Sequence, residues 1–264
     1  MKYVLVSGAS GGLGQAVRNK LLENGFFVIG ADIVKDNTKL DNFISFNVDL
    51  TNDDDLNKLH EEVKKITPKL DAIINLVGIF KFQSLVEGNE KDLRTCFEIN
   101  FFSIYKLNKK FFDMLDKDSR IINMSSEEAI YSPQPFVGYY SITKCALDMY
   151  NDVLRRECNY LGIKVIKIIA GSFKTKMLVK ANDEYHILVK NSKLFVTPLT
   201  KLKYLMDNEL KKNNPPEKLG KLIVKILNKK NPKIIYKINK SAALRLLSFL
   251  PEKIQDKLYV ALTK

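Results

Sequence analysis

Tyr140 stands four residues before Lys144 in "VGYYSITK", residues 137–144. Positions i and i+4 of a helix share a face, so this spacing sets a phenol beside an ammonium. A phenol held next to a fixed cation can give up and take back a proton, which is the work of a general acid–base. Tyr139 is five residues from Lys144 and points elsewhere, so the spacing selects Tyr140. A lysine ammonium about 5 Å away would stabilise a phenolate by roughly 3 kcal/mol at an effective dielectric of about 20, drawing Tyr140 down from its ordinary pKa near 10. Tyr-x-x-x-Lys also arises by chance in amphipathic helices. Its meaning depends on what else the chain carries.

A second group of residues suits a nucleotide. "SGASGGLG", residues 7–14, follows the apolar run Tyr3-Val4-Leu5-Val6 and opens a helical pattern. Gly8, Gly12 and Gly14 let a backbone turn tightly against a diphosphate, and the helix N-terminus offers it free N–H groups. The glycines are spaced Gly-x-x-x-Gly-x-Gly. Asp32 ends the next apolar run, in "VIGADI", where a carboxylate accepts both ribose hydroxyls of an adenosine and repels a 2′-phosphate. The glycine loop holds no Arg or Lys, so the pattern favours NAD over NADP, with Lys35 the residue that works against it.

These residues need a frame. Short β-branched runs near 3–7, 26–31, 43–48, 71–76, 119–124, 163–169 and 233–238 read as strands. Helical patterns lie near 12–24, 53–66, 90–115, 138–161 and 216–229. The alternation predicts an α/β fold, a Rossmann-like, doubly wound, seven-stranded parallel sheet with helices on both faces. One domain spans 1–264, with an insertion at 176–215 and a C-terminal amphipathic helix at 241–263. In that last stretch Leu247, Leu250, Ile254, Leu258 and Leu262 recur at helical spacing, and Pro251 bends the helix or splits it in two.

Composition narrows the classes. No uncharged apolar stretch reaches the length of a membrane-spanning helix, and the N-terminal residues carry no secretory pattern. Cys96, Cys145 and Cys158 form no CxxC, and His60 and His186 are the two histidines. A disulfide framework or a metal site is not expected, the cysteines read as small buried apolar residues, and the cytoplasm is the expected compartment. Residues 201–264 carry a net charge of +11, against +2 for 1–200.

With both groups in place, the chain resembles the classical short-chain dehydrogenase/reductase family over about residues 1–176. "SGASGGLG" is similar to its glycine element, Asp49 in "NVDL" to the acid that contacts adenine, and "NLVG" at 75–78 to its Asn-Asn-Ala-Gly. Asn100 in "FEIN", "INMSS" at 122–126, Tyr140 and Lys144 follow in the family's order. The resemblance implies a catalytic set of Asn100, Ser126, Tyr140 and Lys144, with Ser125 the less favoured serine. It implies cofactor contacts from Gly8, Ser10, Gly12, Leu13, Gly14, Asp32, Asp49, Leu50, Asn75, Gly78, Tyr140, Lys144, Gly171 and Thr175. There are departures: Leu76 and Val77 replace Asn and Ala, and Ala170 stands where the family has proline, while Thr175 is kept.

The reaction so implied is hydride exchange between a secondary alcohol and a ketone, with NAD as cofactor and a homodimer or homotetramer as the assembly. Residues 176–206 are rich in Leu, Val, Met and Phe, which suits an apolar substrate such as a steroid, a retinoid-like or an acyl alcohol, and equally suits plain packing of a lid. Two rivals stand beside this reading, a non-catalytic NAD-binding sensor or scaffold and a nucleotide-sugar epimerase. The basic tail shows no nucleic-acid motif. Its helix is expected to pack on the domain or a partner subunit, with peripheral contact to an anionic membrane as the sharper alternative.

Overall fold

Residues 4 to 6 set the two faces of the sheet. Val4 and Val6 point to one side and Leu5 to the other, all fully buried, as the two-residue period of a strand requires. The computed structural model describes residues 1–211 and 214–263; of 205, 206, 209 and 210 only the backbone is described. Seven parallel strands, β1 (Lys2–Ser7), β2 (Phe26–Asp32), β3 (Phe43–Asn47), β4 (Ala72–Asn75), β5 (Arg120–Ser126), β6 (Lys164–Ala170) and β7 (Ile235–Ile238), lie in the order β3-β2-β1-β4-β5-β6-β7. Each expected strand is present.

On one face, α1 (Gly12–Leu22) and α8 (Glu217–Asn228) cover Val4, Val6, Ile122 and Ile168 with Val17, Leu21, Ile223 and Leu227. On the other, α2 (Asp53–Ile66) brings Leu56, Leu59 and Val63 onto Leu5, Ile29 and Ile73. The chain reverses direction across the sheet between β1 and β4, and a crevice opens there at the carboxyl ends of the strands.

One expectation is corrected and two gain detail. The stretch read as one helix over 90–115 is α3 (Glu90–Phe97), a π-helical turn (Glu98–Phe102), α4 (Ser103–Lys110) and a 3₁₀ turn (Phe112–Met114). The wide turn carries Asn100, and such turns break a helix where a side chain is needed for other work. The insertion at 176–215 folds as a helical hairpin, α6 (Lys176–Asn191) and α7 (Val196–Lys211); residues 212 and 213 within it lie outside the described residues. The C-terminal segment is two helices, α9 (Ala242–Leu247) and α10 (Glu252–Thr263), parted at Pro251, whose ring and missing N–H stop the first from continuing. No helix among the described residues is long and apolar enough to cross a membrane.

Candidate active site

The turn after β1 is built around glycines. Gly8 has φ +70, and a Cβ there would lie 2.9 Å from Val77 N across the crevice. A Cβ on Gly14 would lie 2.1 Å from Gly8 O, so a larger residue cannot keep this turn. Gly12 lies beneath Thr175, whose Cγ2 would be 3.4 Å from an added Cβ. The cradle left by three missing side chains at a helix N-terminus fits the diphosphate of a dinucleotide.

Asp32 closes one end of the cradle. Ser10 N–H donates to its Oδ2 and Val34 N–H to its Oδ1, each at 2.9 Å, which ties the glycine loop to the end of β2. Arg18 is ion-paired with Asp36 and lies over the Phe43 ring at 4.8 Å, so its charge is already matched. At the end of β3, Asp49 Oδ1 accepts from Thr51 N–H at 2.9 Å and Thr51 Oγ1 at 2.8 Å. The Leu50 side chain packs in the core with α2, so it faces away from the crevice.

Asn75 is also placed differently from a direct cofactor contact. Its side chain is fully buried, donating to Asn108 Oδ1 and Asn123 Oδ1, both at 2.8 Å, and accepting from Ser7 Oγ at 3.1 Å. A buried amide needs all these partners, and the network pins β1, β4, β5 and α4 together.

The second half of the site centres on α5 (Gly138–Asn159). Tyr140 and Lys144 share one face, with Lys144 Nζ 5.6 Å from the centre of the Tyr140 ring. Lys144 Nζ donates to the Met124 carbonyl at 3.0 Å. Tyr139 turns the other way and donates to the Asn89 carbonyl at 2.9 Å. The serine pair divides its work. Ser125 Oγ donates to Asp148 Oδ1 at 3.1 Å, whereas Ser126 is hydrogen-bonded to Tyr140. Asn100, on its π-turn, accepts from Ile79 N–H at 2.7 Å and donates to Ile79 O and Thr143 Oγ1, each at 3.0 Å. A Cβ on Gly78 would lie 3.2 Å from Asn100 Oδ1 and 3.7 Å from Lys144 Nζ, so the glycine leaves room at the meeting point.

The surroundings of Tyr140 reverse the shift expected from the Tyr140–Lys144 pair alone. Burial pushes the Tyr140 phenol up to about 12, the Ser126 hydrogen bond opposes this, and Glu128 and Glu127 add to the rise. Burial alone draws Lys144 down to about 8. Desolvation and two unforeseen carboxylates therefore outweigh the attraction of lysine for a phenolate. At neutral pH Tyr140 holds its proton and Lys144 its charge.

Ser126, Tyr140, Lys144, Gly78, Leu13, Gly171 and Thr175 line one cavity of ≈ 680 Å³. Its wall is aromatic, with the rings of Phe80 and Tyr140 4.8 Å apart, Phe80 and Phe82 4.8 Å, and Phe82 and Tyr185 5.1 Å. Met177, Leu178 and Leu202 from α6 and α7 add to it. Glu87 clamps the turn of this hairpin, accepting from Ser192 Oγ at 2.6 Å, Lys193 N–H at 2.7 Å and Leu194 N–H at 2.9 Å. The segment past β7 closes the rest, with Leu244 and Tyr259 on the cavity and α10 packed on α7. Of the cysteines, Cys96 and Cys158 are buried as expected, but Cys145 is exposed because it occupies an outward position of α5.

Sequence comparison gives this geometry a family. Residues 2–186 match the short chain dehydrogenase family. The chain belongs to it. An NADPH-dependent 3-dehydrocapnine reductase of Ornithobacterium rhinotracheale is 29% identical over 197 residues, covering 69% of each chain. A 3-ketodihydrosphingosine reductase of Bacteroides thetaiotaomicron is 28% identical over 233 residues, 88% of this chain and 85% of that protein. A short chain dehydrogenase family protein from Francisella tularensis has the same fold, with a TM-score of 0.76 at 20% identity over 90% of this chain and 96% of its own. The protein is thus an oxidoreductase of alcohols and ketones that uses NAD or NADP.

Proposed function

We propose that this chain reduces the ketone of an apolar substrate to a secondary alcohol, with Tyr140 as the proton donor. The observation that carries the reading is the convergence of Tyr140, Ser126 and Lys144 on one cavity whose opposite wall is aromatic and aliphatic. Nicotinamide, when bound, supplies the hydride. The phenol of Tyr140 stays protonated through the neutral range and so is ready to donate. Ser126 holds the substrate oxygen within reach of that phenol. Lys144 carries a positive charge against the Tyr140 ring, which favours the phenolate left after donation. Asn100 fixes the backbone at Ile79, next to the Gly78 gap that faces Lys144. Leu178, Leu202 and the Phe80–Phe82 pair exclude water from the reacting carbon.

Support for an apolar ketone comes also from the relatives, which are named as reductases of 3-dehydrocapnine and 3-ketodihydrosphingosine. The test is a panel of ketones and secondary alcohols offered with NADH and with NADPH, followed by nicotinamide absorbance. Apolar ketones are expected to turn over fastest. Tight nucleotide binding with no turnover across the panel would leave a non-catalytic sensor in place of an enzyme.

On cofactor choice, we read Asp32 as selecting NAD, although two relatives are named as NADPH-dependent. Asp32→Ala removes the charge that repels a 2′-phosphate, and also a strut of the glycine loop. Both nucleotides should therefore bind less well, while the ratio of kcat/KM for NADPH over NADH rises about tenfold, ~1.4 kcal/mol. A native enzyme that already prefers NADPH would show that Asp32 does not decide the matter. For assembly we favour a homodimer or homotetramer, since Phe102, Tyr105, Met149 and Val153 leave apolar surface on and beside α4 and α5.

A further inference from the structure

Lys167 is a buried cation that the reaction itself does not use. It lies on β6, opposite Asn123 of β5, with its side chain 4% exposed. Its Nζ donates to Asp148 Oδ2 at 2.7 Å and to Asp152 Oδ2 at 3.2 Å. Both carboxylates belong to α5, and they continue a spacing that begins in the cavity. Tyr140, Lys144, Asp148 and Asp152 follow one another at intervals of four, so each lies about one turn beyond the last.

Three consecutive residues of β5 meet this stripe. Met124 O accepts from Lys144 Nζ at 3.0 Å, Ser125 Oγ donates to Asp148 Oδ1 at 3.1 Å, and Ser126 is hydrogen-bonded to Tyr140. Asp148 is thus held from two strands, by Ser125 of β5 and by Lys167 of β6. Asn123 Nδ2 adds a bond to Asn151 Oδ1 at 3.0 Å, and farther out Arg155 lies 4.0 Å from Asp152. Stability does not account for the ion pair. Desolvating an ammonium and a carboxylate costs about what their attraction returns, and apolar residues of the same volume serve a core as well. What the pair adds is a fixed distance. A small slide of the helix along the sheet barely alters an apolar contact, whereas a hydrogen-bonded ammonium loses its geometry at once. Proton transfer has the same intolerance, since a misplacement of about 1 Å can cost about 10²-fold in rate.

We propose that Lys167 is a positioning residue for the reduction. By gripping Asp148 and Asp152 it sets the height of α5 against β5 and β6, and so the placement of Tyr140 and Lys144 against Ser126. Asp148 is the coupling residue, because it meets Lys167 and the neighbour of Ser126 at once. This role rests on the reductase reading and deepens it by naming what holds the proton donor in place.

The test begins with Lys167→Met and Asp148→Asn made together. Methionine keeps the stem of the lysine and asparagine keeps an acceptor for Ser125, so the ion pair is lost without leaving a lone charge at Asp148. The full-length double variant should melt close to the wild-type temperature. With reduced nicotinamide and the best ketone of the panel, its kcat should fall about 10- to 10²-fold. KM and nucleotide affinity should stay within a few-fold, the split that marks a loss confined to the reacting geometry. Lys167→Arg keeps a cation within reach of both carboxylates and should retain most of the rate. Wild-type kcat in the double variant, or a fall no larger than its loss of folded protein, would overturn the assignment and leave Lys167 a packing residue. Should the double variant not fold, Asp152→Asn at the rim is the milder form of the same test. A few-fold lower kcat at an unchanged melt then supports the role, and an unchanged kcat rejects it. Where the wild type itself reduces no ketone, the reductase reading falls, and hydrogen exchange over residues 138–146 tests the role of Lys167 without it. Faster exchange in the double variant at a kept melting temperature supports that role, and equal protection in both proteins rejects it.

Discussion

Tyr140→Phe is expected to lower ketone reduction by about 10²–10⁴-fold while nucleotide binding stays within a few-fold of wild type. Phenylalanine keeps the ring that packs at 4.8 Å from Phe80 and at 5.6 Å from Lys144 Nζ. What is lost is the hydroxyl, its hydrogen bond to Ser126 and the proton it delivers. Tyr139→Phe is the matched control. That hydroxyl serves the Asn89 carbonyl at the start of α3, so its removal should cost about 1 kcal/mol of stability and little turnover. Steady-state rates give the first comparison and thermal melts the second. Wild-type reduction by the Tyr140→Phe protein would remove Tyr140 from the mechanism, whatever the geometry.

Much of the frame was legible because its signals are local. Seven β-branched runs and a glycine turn followed by Asp32 depend on residues near one another, and each landed where read. The register of Tyr140 over Tyr139 followed from the helical period, and the structure gives the two different partners, Lys144 for Tyr140 and the Asn89 carbonyl for Tyr139. What the sequence hid depends on contacts between distant segments. Tyr259 reaches the cavity only because α10 packs back on α7, and nothing in its neighbours marks it. Asn75 kept the look of a cofactor residue, while its partners Asn108 and Asn123 come from other elements. The glutamates of "SSEEA" were in plain view beside Ser126, and a pair of acids next to a nucleotide site could have been questioned. Their effect on Tyr140 is a matter of burial, which a spacing argument does not contain.

Lys144→Met carries the second large effect, and it separates chemistry from stability. Methionine matches the length of the chain and removes the charge and the donor that meets the Met124 carbonyl. Turnover should fall by at least about 10²-fold, because the phenolate left on Tyr140 loses the cation against its ring. Stability should move the other way. Burial draws Lys144 from 10.5 down to about 8, so the folded protein holds this proton less tightly than the unfolded chain does. Carrying the charge therefore destabilises the fold below about pH 8, and the penalty fades as pH climbs toward 10.5. The variant should melt at or above the wild-type temperature at neutral pH, with the difference closing in alkali. The wild-type rate profile follows from the same proton. Tyr140 keeps its own proton to about 12, so reduction should decline as pH rises past about 8, when Lys144 loses its charge. That falling limb should be absent from the residual activity of Lys144→Met. A limb that survives the substitution would belong to another group, and Lys144 would then be a packing residue with an incidental charge.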